Sequence, residues 1–84
     1  MSVTVLFFAS LKETLGRERL SIELPVKLEL SAFIDRLAEE LGPQAHQALT
    51  AESVRVAVNQ ELLNGSGVIG DGDEVAFLPP VTGG

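Results

Sequence analysis

The order of hydrophobic and polar positions along the chain predicts four strands, a further short strand at residues 62–63 and one long helix. Residues 3–9 are mostly β-branched and aromatic, which favours a strand that is largely apolar on both faces. Residues 19–24 alternate polar and apolar side chains, as a half-buried strand does. The short link between these two segments predicts a hairpin. Residues 54–58 and 74–78 have the composition of two further strands.

Residues 30–41 place apolar side chains at steps of three and four, which predicts an amphipathic helix. Gly42 and Pro43 follow this segment and should end the helix. The side chains on the predicted buried stripe are Leu30, Phe33, Ile34, Leu37, Ala38 and Leu41. This helix is the clearest periodic feature of the sequence.

Weaker signals lie on either side of the helix. Ser10 and Glu13 stand at the spacing of a capping box, before a short helical turn that Gly16 can end. Residues 44–51 are small and polar, and they suit a helical turn or a loop equally well.

The last third of the chain contains a short apolar pair at residues 62–63 and a tight-turn sequence at residues 71–73. Pro79 and Pro80 should end strand pairing, because neither residue can donate a ladder hydrogen bond.

One long helix can cover only one face of the resulting sheet, which predicts an α+β domain. The element order matches the ubiquitin-like β-grasp, in which a mixed sheet packs on one main helix. We therefore expect a β-grasp domain over residues 1–80 and a flexible tail over residues 81–84.

Charge and size narrow the possible functions. The chain has 84 residues, enough for one domain, and a formal net charge of −6. Nucleic-acid binders present basic patches, so we expect no nucleic-acid partner. Acidity suits docking to a basic cleft on a protein partner, and it also serves solubility alone. We expect no membrane association and a cytoplasmic location, since the longest apolar run is far too short to span a bilayer.

The residues that usually carry enzyme chemistry are scarce. The chain has no cysteine and no tyrosine, and His46 is its only imidazole. We interpret His46 as a surface residue, and we interpret Asp71, Asp73 and Glu74 as a turn before a strand, because they lack the spacing of a calcium loop. We expect no bound metal and no resident cofactor, and a chain that is not catalytic alone.

The final residues carry the strongest candidate chemistry. Gly83 and Gly84 end the chain after the stiff pair Pro79–Pro80. A frayed terminus or an expression scar explains glycine but not the proline pair before it. A terminal carboxylate is ionised at neutral pH, and it can attack the α-phosphate of ATP on another protein. Glycine has no Cβ, so such a tail can enter a narrow channel.

Residues 71–84, DGDEVAFLPPVTGG, resemble the C-terminal signature of the small-subunit family of molybdopterin synthase. Residues 5–9 and 57–60 are also similar to that family, so the resemblance covers the whole chain. The middle of the chain, residues 25–53, is similar only in pattern.

The resemblance implies a sulfur carrier for molybdenum cofactor biosynthesis. A ubiquitin-activating-type adenylyltransferase would use ATP to adenylate Gly84, and a sulfur donor would convert it to a thiocarboxylate. The tail, formed by Pro79, Pro80, Val81, Thr82 and Gly83, would thread into the active site of the large synthase subunit. The thiocarboxylate would there donate sulfur to cyclic pyranopterin monophosphate, as the sulfurtransferase half-reaction of a heterotetramer.

Two alternatives remain open at the level of sequence. A sulfur carrier of the thiamine pathway shares the fold and the Gly-Gly end, although residues 79–82 look more like the molybdopterin family. A ubiquitin-like module that binds partners without covalent chemistry belongs to another class. Intact mass after incubation with an activating enzyme, ATP and a sulfur donor distinguishes these classes.

Strand alternation also predicts a docking surface. If Val5 and Val75 face the helix, then Phe8 and Leu78 face away from it, and Leu62 joins them from the loop side. Clustered exposed apolar residues usually mark a partner site. The alternative is that the short segment around Leu62 covers this patch.

Overall fold

The computed structural model describes residues 1–80, which form a five-stranded mixed sheet packed on helices. In chain order the elements are β1 (Ser2–Phe7), α1 (Ala9–Leu15), β2 (Arg19–Glu23), β3 (Leu28–Glu29), α2 (Leu30–Leu41), α3 (Pro43–Leu49), β4 (Arg55–Val58), β5 (Glu61–Leu62), β6 (Val68–Ile69) and β7 (Glu74–Leu78).

The strands of the main sheet follow the order β2-β1-β7-β4-β5. β1 and β7 are parallel and central, and every other pair in this sheet is antiparallel. The expected pairing of β1 with β2 is confirmed, although α1 lies in their connection. β3 and β6 form a separate two-stranded sheet that the sequence pattern did not predict. The architecture is the expected α+β arrangement.

The core lies between the helices and one face of the sheet. Val5 is in register with Val75, and Phe7 is in register with Phe77. All four are buried, and the two phenyl rings stack with their centroids 5.9 Å apart. This parallel pairing joins the first and last strands through a continuous apolar layer, which positions the end of β7.

The long helix begins and ends at the residues that the periodicity predicts, and it buries Phe33, Ile34 and Leu37. Gly42 ends it with φ +104°, and the ambiguous segment is the helix α3, with Pro43 in its first turn. Proline suits that position because the first N–H groups of a helix have no intrahelical partner. No helix within residues 1–80 is long and apolar enough to cross a membrane.

The predicted capping box is wrong. α1 begins at Ala9, so Ser10 lies inside the helix, and no side chain caps this end. The backbone closes the first turn instead, because Leu11 N–H donates to the Phe8 carbonyl at 3.1 Å. The predicted end at Gly16 is confirmed: its φ is +73°, and its N–H donates to the Lys12 carbonyl.

Candidate functional site

An apolar row crosses the sheet on the face that points away from α2. Leu6 is in register with Ala76, Ala76 with Ala57, and Ala57 with Leu62. Successive side chains of a strand point to opposite faces, so Leu6, Ala76 and Ala57 are the outward neighbours of buried core residues, and Leu62 lies beside Ala57 on the same face. We call Leu6, Ala76, Ala57 and Leu62 the apolar row.

The three predicted docking residues surround a shallow groove along this row, with a volume of about 490 Å³. Phe8 is 44% exposed and Leu62 is 67% exposed, whereas Leu78 is half-buried. The segment around Leu62 therefore lines the patch and leaves it open, so the covering alternative is wrong. The lining residues are Leu6, Phe8, Ala57, Gln60, Leu62, Glu74, Ala76 and Leu78.

The backbone holds Phe8 in its exposed position. Phe8 N–H donates to the Phe77 carbonyl at 3.3 Å, which continues the pairing of β1 with β7 by one residue. The next residue, Ala9, has φ +49°, a left-handed conformation that turns the chain sharply into α1. The Phe8 ring therefore stays on the outer face, beside the last strand.

A polar network holds the β4–β5 hairpin that carries Leu62. Asn59 and Gln60 form the turn with φ +52° and +71°. The Asn59 side chain donates to Asp73 Oδ1 at 2.9 Å and accepts from Glu74 N–H at 3.0 Å. The hairpin is thereby tied to the start of β7, on the opposite side of the groove from Phe8.

Asp73 also accepts a hydrogen bond from Gly70 N–H at 2.8 Å. This bond, followed by the bond from Asn59, holds the pKa of the Asp73 carboxyl below its ordinary value of 3.8. Asp71 likewise accepts from Ser2 N–H at 2.8 Å. Both carboxylates thus bind the protein's own backbone, as expected for a turn, and no group of three potential metal ligands occurs in residues 1–80.

His46 lies on the surface, as the sequence predicted. Its side chain is 52% exposed, and Nε2 lies 3.2 Å from Asp35 Oδ1 across the α2–α3 corner. This pair is remote from the groove, since neither residue lines it.

The predicted tail begins beside the groove. Leu78 ends β7, Pro79 is half-buried and Pro80 is exposed. The remaining predicted tail residues, Val81, Thr82, Gly83 and Gly84, lie outside the described residues.

A second groove, of about 370 Å³, lies on the helix side of the sheet. Ile34, Leu49 and Leu63 are among its lining residues, and Arg55 borders it at the start of β4. It shares no lining residue with the outer groove and includes none from β7. The outer groove is therefore the one that adjoins the start of the tail.

Sequence reasoning missed part of the outer groove. Alternation alone places Leu6 and Ala76 on the outer face with the predicted residues. Ala57, Gln60 and Glu74 could be assigned only from strand register, because they come from different strands and a turn.

Comparison with known proteins identifies full-length relatives. A family model described as the ThiS family matches residues 5–84. The chain is 37% identical over 82 residues to the molybdopterin synthase sulfur carrier subunit of Haemophilus influenzae, covering 98% of this chain and 99% of that protein. The protein of the same name from Escherichia coli K12 is 34% identical over 85 residues, with coverage of 98% and 99%.

Two solved structures extend the comparison. The SAMP1 structure from Haloferax volcanii superposes with a TM-score of 0.77 at 26% identity, covering 100% of both chains. A complex of subunits 1 and 2 of molybdopterin-converting factor from Helicobacter pylori matches with a TM-score of 0.58 at 25% identity, again over 100% of both chains.

Proposed function

The chain belongs to the ThiS family, and from this we infer that it is a sulfur carrier of molybdenum cofactor biosynthesis. The observation that carries the inference is identity of 34–37% to molybdopterin synthase sulfur carrier subunits over nearly the full length of both chains. The same relatives favour the molybdopterin pathway over the thiamine pathway.

We propose that the reacting group is the carboxylate of Gly84. A carboxylate oxygen attacks the α-phosphorus of ATP in a ubiquitin-activating-type adenylyltransferase, and pyrophosphate leaves. A sulfur donor then supplies sulfur at the oxidation level of sulfide (HS⁻), which attacks the carbonyl carbon, and AMP leaves as the C–S bond forms. The product is a Gly84 thiocarboxylate. The carrier contributes the tethered end, and its partners contribute the catalytic groups.

The outer groove is the proposed docking site for the large subunit of molybdopterin synthase. Phe8, Leu62 and Leu78 supply exposed apolar area beside the residue from which the tail departs. The Helicobacter pylori homologue is part of a complex of subunits 1 and 2, which supports a partner of this kind. Docking here would direct residues 79–84 into the active site, where sulfur passes to cyclic pyranopterin monophosphate.

The remaining assignments follow from this scheme. The chain is non-catalytic alone and acts as the sulfur-donating subunit of a heterotetrameric sulfurtransferase. It needs no bound cofactor, since the activating enzyme uses the ATP. It works in the cytoplasm, where these partners are expected.

Deletion of Gly84 tests the proposal. The deletion retracts the terminal carboxyl carbon by about 3.3–3.6 Å, the length of one extended residue. Misplacement by about 1 Å can lower a rate on the order of a hundredfold, so the shortened carrier should be nearly inert. The measurements are pyrophosphate exchange with the activating enzyme and intact mass for replacement of one oxygen by sulfur.

An added C-terminal alanine tests the opposite change in chain length. It should also fail, because it moves the carboxylate beyond the adenylating groups and adds a Cβ. Circular dichroism and binding to the large subunit should be unchanged in both variants, since neither change touches the sheet. Thiocarboxylation of the deletion variant at the wild-type rate would show that Gly84 is not the required reacting group. A wild-type chain that is never thiocarboxylated would instead favour a non-covalent binding module.

A further inference from the structure

Two arginines stand beside the outer groove, at the end of the sheet from which the tail departs. Arg19 of β2 is in register with Leu6, and Arg55 of β4 is in register with Leu78. Strand alternation places both side chains on the same face as Leu6 and Leu78. Neither arginine lines the outer groove itself, and Arg55, at the first residue of β4, also borders the second groove. Both arginines are exposed.

Arg19 and Arg55 have no counter-ion within residues 1–80, and neither do Arg17 and Lys27, but of these four only Arg19 and Arg55 lie in strands of the main sheet. Arg36 pairs with Glu40 at 3.0 Å, and Lys12 pairs with Glu18 at 3.4 Å. Within residues 1–80, neither Arg19 nor Arg55 forms an ion pair. A chain with net charge −6 therefore leaves two guanidinium groups available at one end of its apolar face.

The two arginines flank the two central strands of the sheet, β1 and β7. β1 and β7 lie between β2 and β4, so three inter-strand steps of about 4.8 Å separate the arginine backbones by roughly 14 Å across the strands. Arg55 also lies two residues further along the direction of β7 than Arg19 does. Acidic residues lie towards the other end of the face, where Glu23 ends β2 and Glu74 begins β7. The face thus has a cationic end beside Leu78 and an acidic end away from it.

We propose that Arg19 and Arg55 recognise two carboxylates on the large subunit of molybdopterin synthase, one on each side of the contact made by Leu6 and Leu78. The proposal rests on the proposed function, because it takes the large subunit as the occupant of the groove. Guanidinium groups bind carboxylates in a planar two-bond geometry. Such pairs at an interface rim steer association and orient the partner, here with the tail end towards the active site.

Neutralisation of each arginine tests this. Arg19→Gln and Arg55→Gln should each weaken binding of the cognate large subunit by about two- to fivefold at low salt, mainly through a slower association rate. Arg36→Gln is the matched control, because it changes net charge equally but lies on α2, behind the sheet. It should leave affinity within about twofold of wild type. The measurement is surface plasmon resonance at several salt concentrations.

The double reversal Arg19→Glu/Arg55→Glu should slow association by about tenfold or more at low salt, and the loss should shrink as salt screens the charges. Arg19→Lys and Arg55→Lys should recover much of the association rate. If both glutamine variants match Arg36→Gln in affinity and in salt dependence, the proposal is wrong. Leu78→Asp shows whether a failure concerns only the arginines or the docking site as a whole. If this variant binds the large subunit like wild type, the outer groove is not the docking site. If it loses binding, the outer groove remains the docking site and only the role of the arginines is excluded.

Discussion

The inner and outer faces of the main sheet are built from similar residues but meet different surroundings. Phe7 is 2% exposed against the core, whereas Phe8, the next residue, is 44% exposed on the outer face. Phe77 and Leu78 repeat the contrast on the neighbouring strand, where Phe77 is fully buried and Leu78 is half-buried. Each face therefore receives an aromatic or aliphatic residue from the same pair of parallel strands.

The difference shows how an 84-residue domain separates stability from recognition. Burial of the inner face stabilises the fold, because apolar area is removed from water within the chain itself. The outer apolar area remains in water until another surface covers it. A substitution on one face should therefore alter folding, and a substitution one residue away should alter binding.

The largest expected change in stability comes from the helix that covers the inner face. Leu37 is fully buried, so Leu37→Ala should lower the free energy of unfolding by about 2–5 kcal/mol. Urea denaturation followed by circular dichroism measures this loss. A denaturation midpoint equal to that of wild type would contradict the assignment of the inner face.

On the outer face we expect the opposite pattern from Leu78→Asp. A charge among the apolar residues of the docking surface should weaken large-subunit binding by about tenfold or more, as loss of an interface hot spot does. Because Leu78 is only half-buried, the free energy of unfolding should fall by no more than about 1 kcal/mol. Isothermal titration calorimetry with the large subunit and urea denaturation measure the two effects.

Leu62→Asp gives an independent check of the same surface. Leu62 is 67% exposed, so the substitution should affect folding even less than Leu78→Asp does. Wild-type affinity in both variants, with unchanged circular dichroism, would exclude the outer groove as the docking site.

A pH-dependent effect concerns Asp73, which accepts hydrogen bonds at the acidic end of the groove. Asp73→Ala removes the bonds to Gly70 N–H and Asn59 and should cost about 1–2 kcal/mol. Because the pKa of Asp73 is lowered in the folded protein, its ionised carboxylate stabilises the fold. This stabilisation is present above about pH 4 and is lost as the pH falls through the lower folded-state pKa. Wild type and variant should therefore differ in stability at pH 7 and converge in acid, as thermal unfolding at each pH will show. A difference that is equal at pH 7 and pH 2.5 would rule out this role for the carboxylate.

Local pattern was sufficient for much of the fold. The helix at Leu30–Leu41 and the strand at Glu74–Leu78 begin and end where the sequence predicts, because each buries a regular stripe or alternation of apolar side chains. Some of the short elements could not be predicted from local pattern. β3 and β6 have two residues each, too few for any periodicity to appear, and the start of α1 follows a backbone turn at Ala9 that no side-chain motif announces.

The sequence by itself determined which residues of each strand share a face, since alternation is a local property of an extended chain. It therefore placed Phe8 and Leu78 together on the outer surface. Only the tertiary structure decided which residues lie between and beside Phe8 and Leu78. The parallel pairing of β1 with β7 and the register of β4 against both β7 and β5 bring Ala57 and Leu62 into the apolar row. Strand register also places Arg19 and Arg55 on either side of β1 and β7. Contacts between strands distant in sequence depend on how the whole core packs.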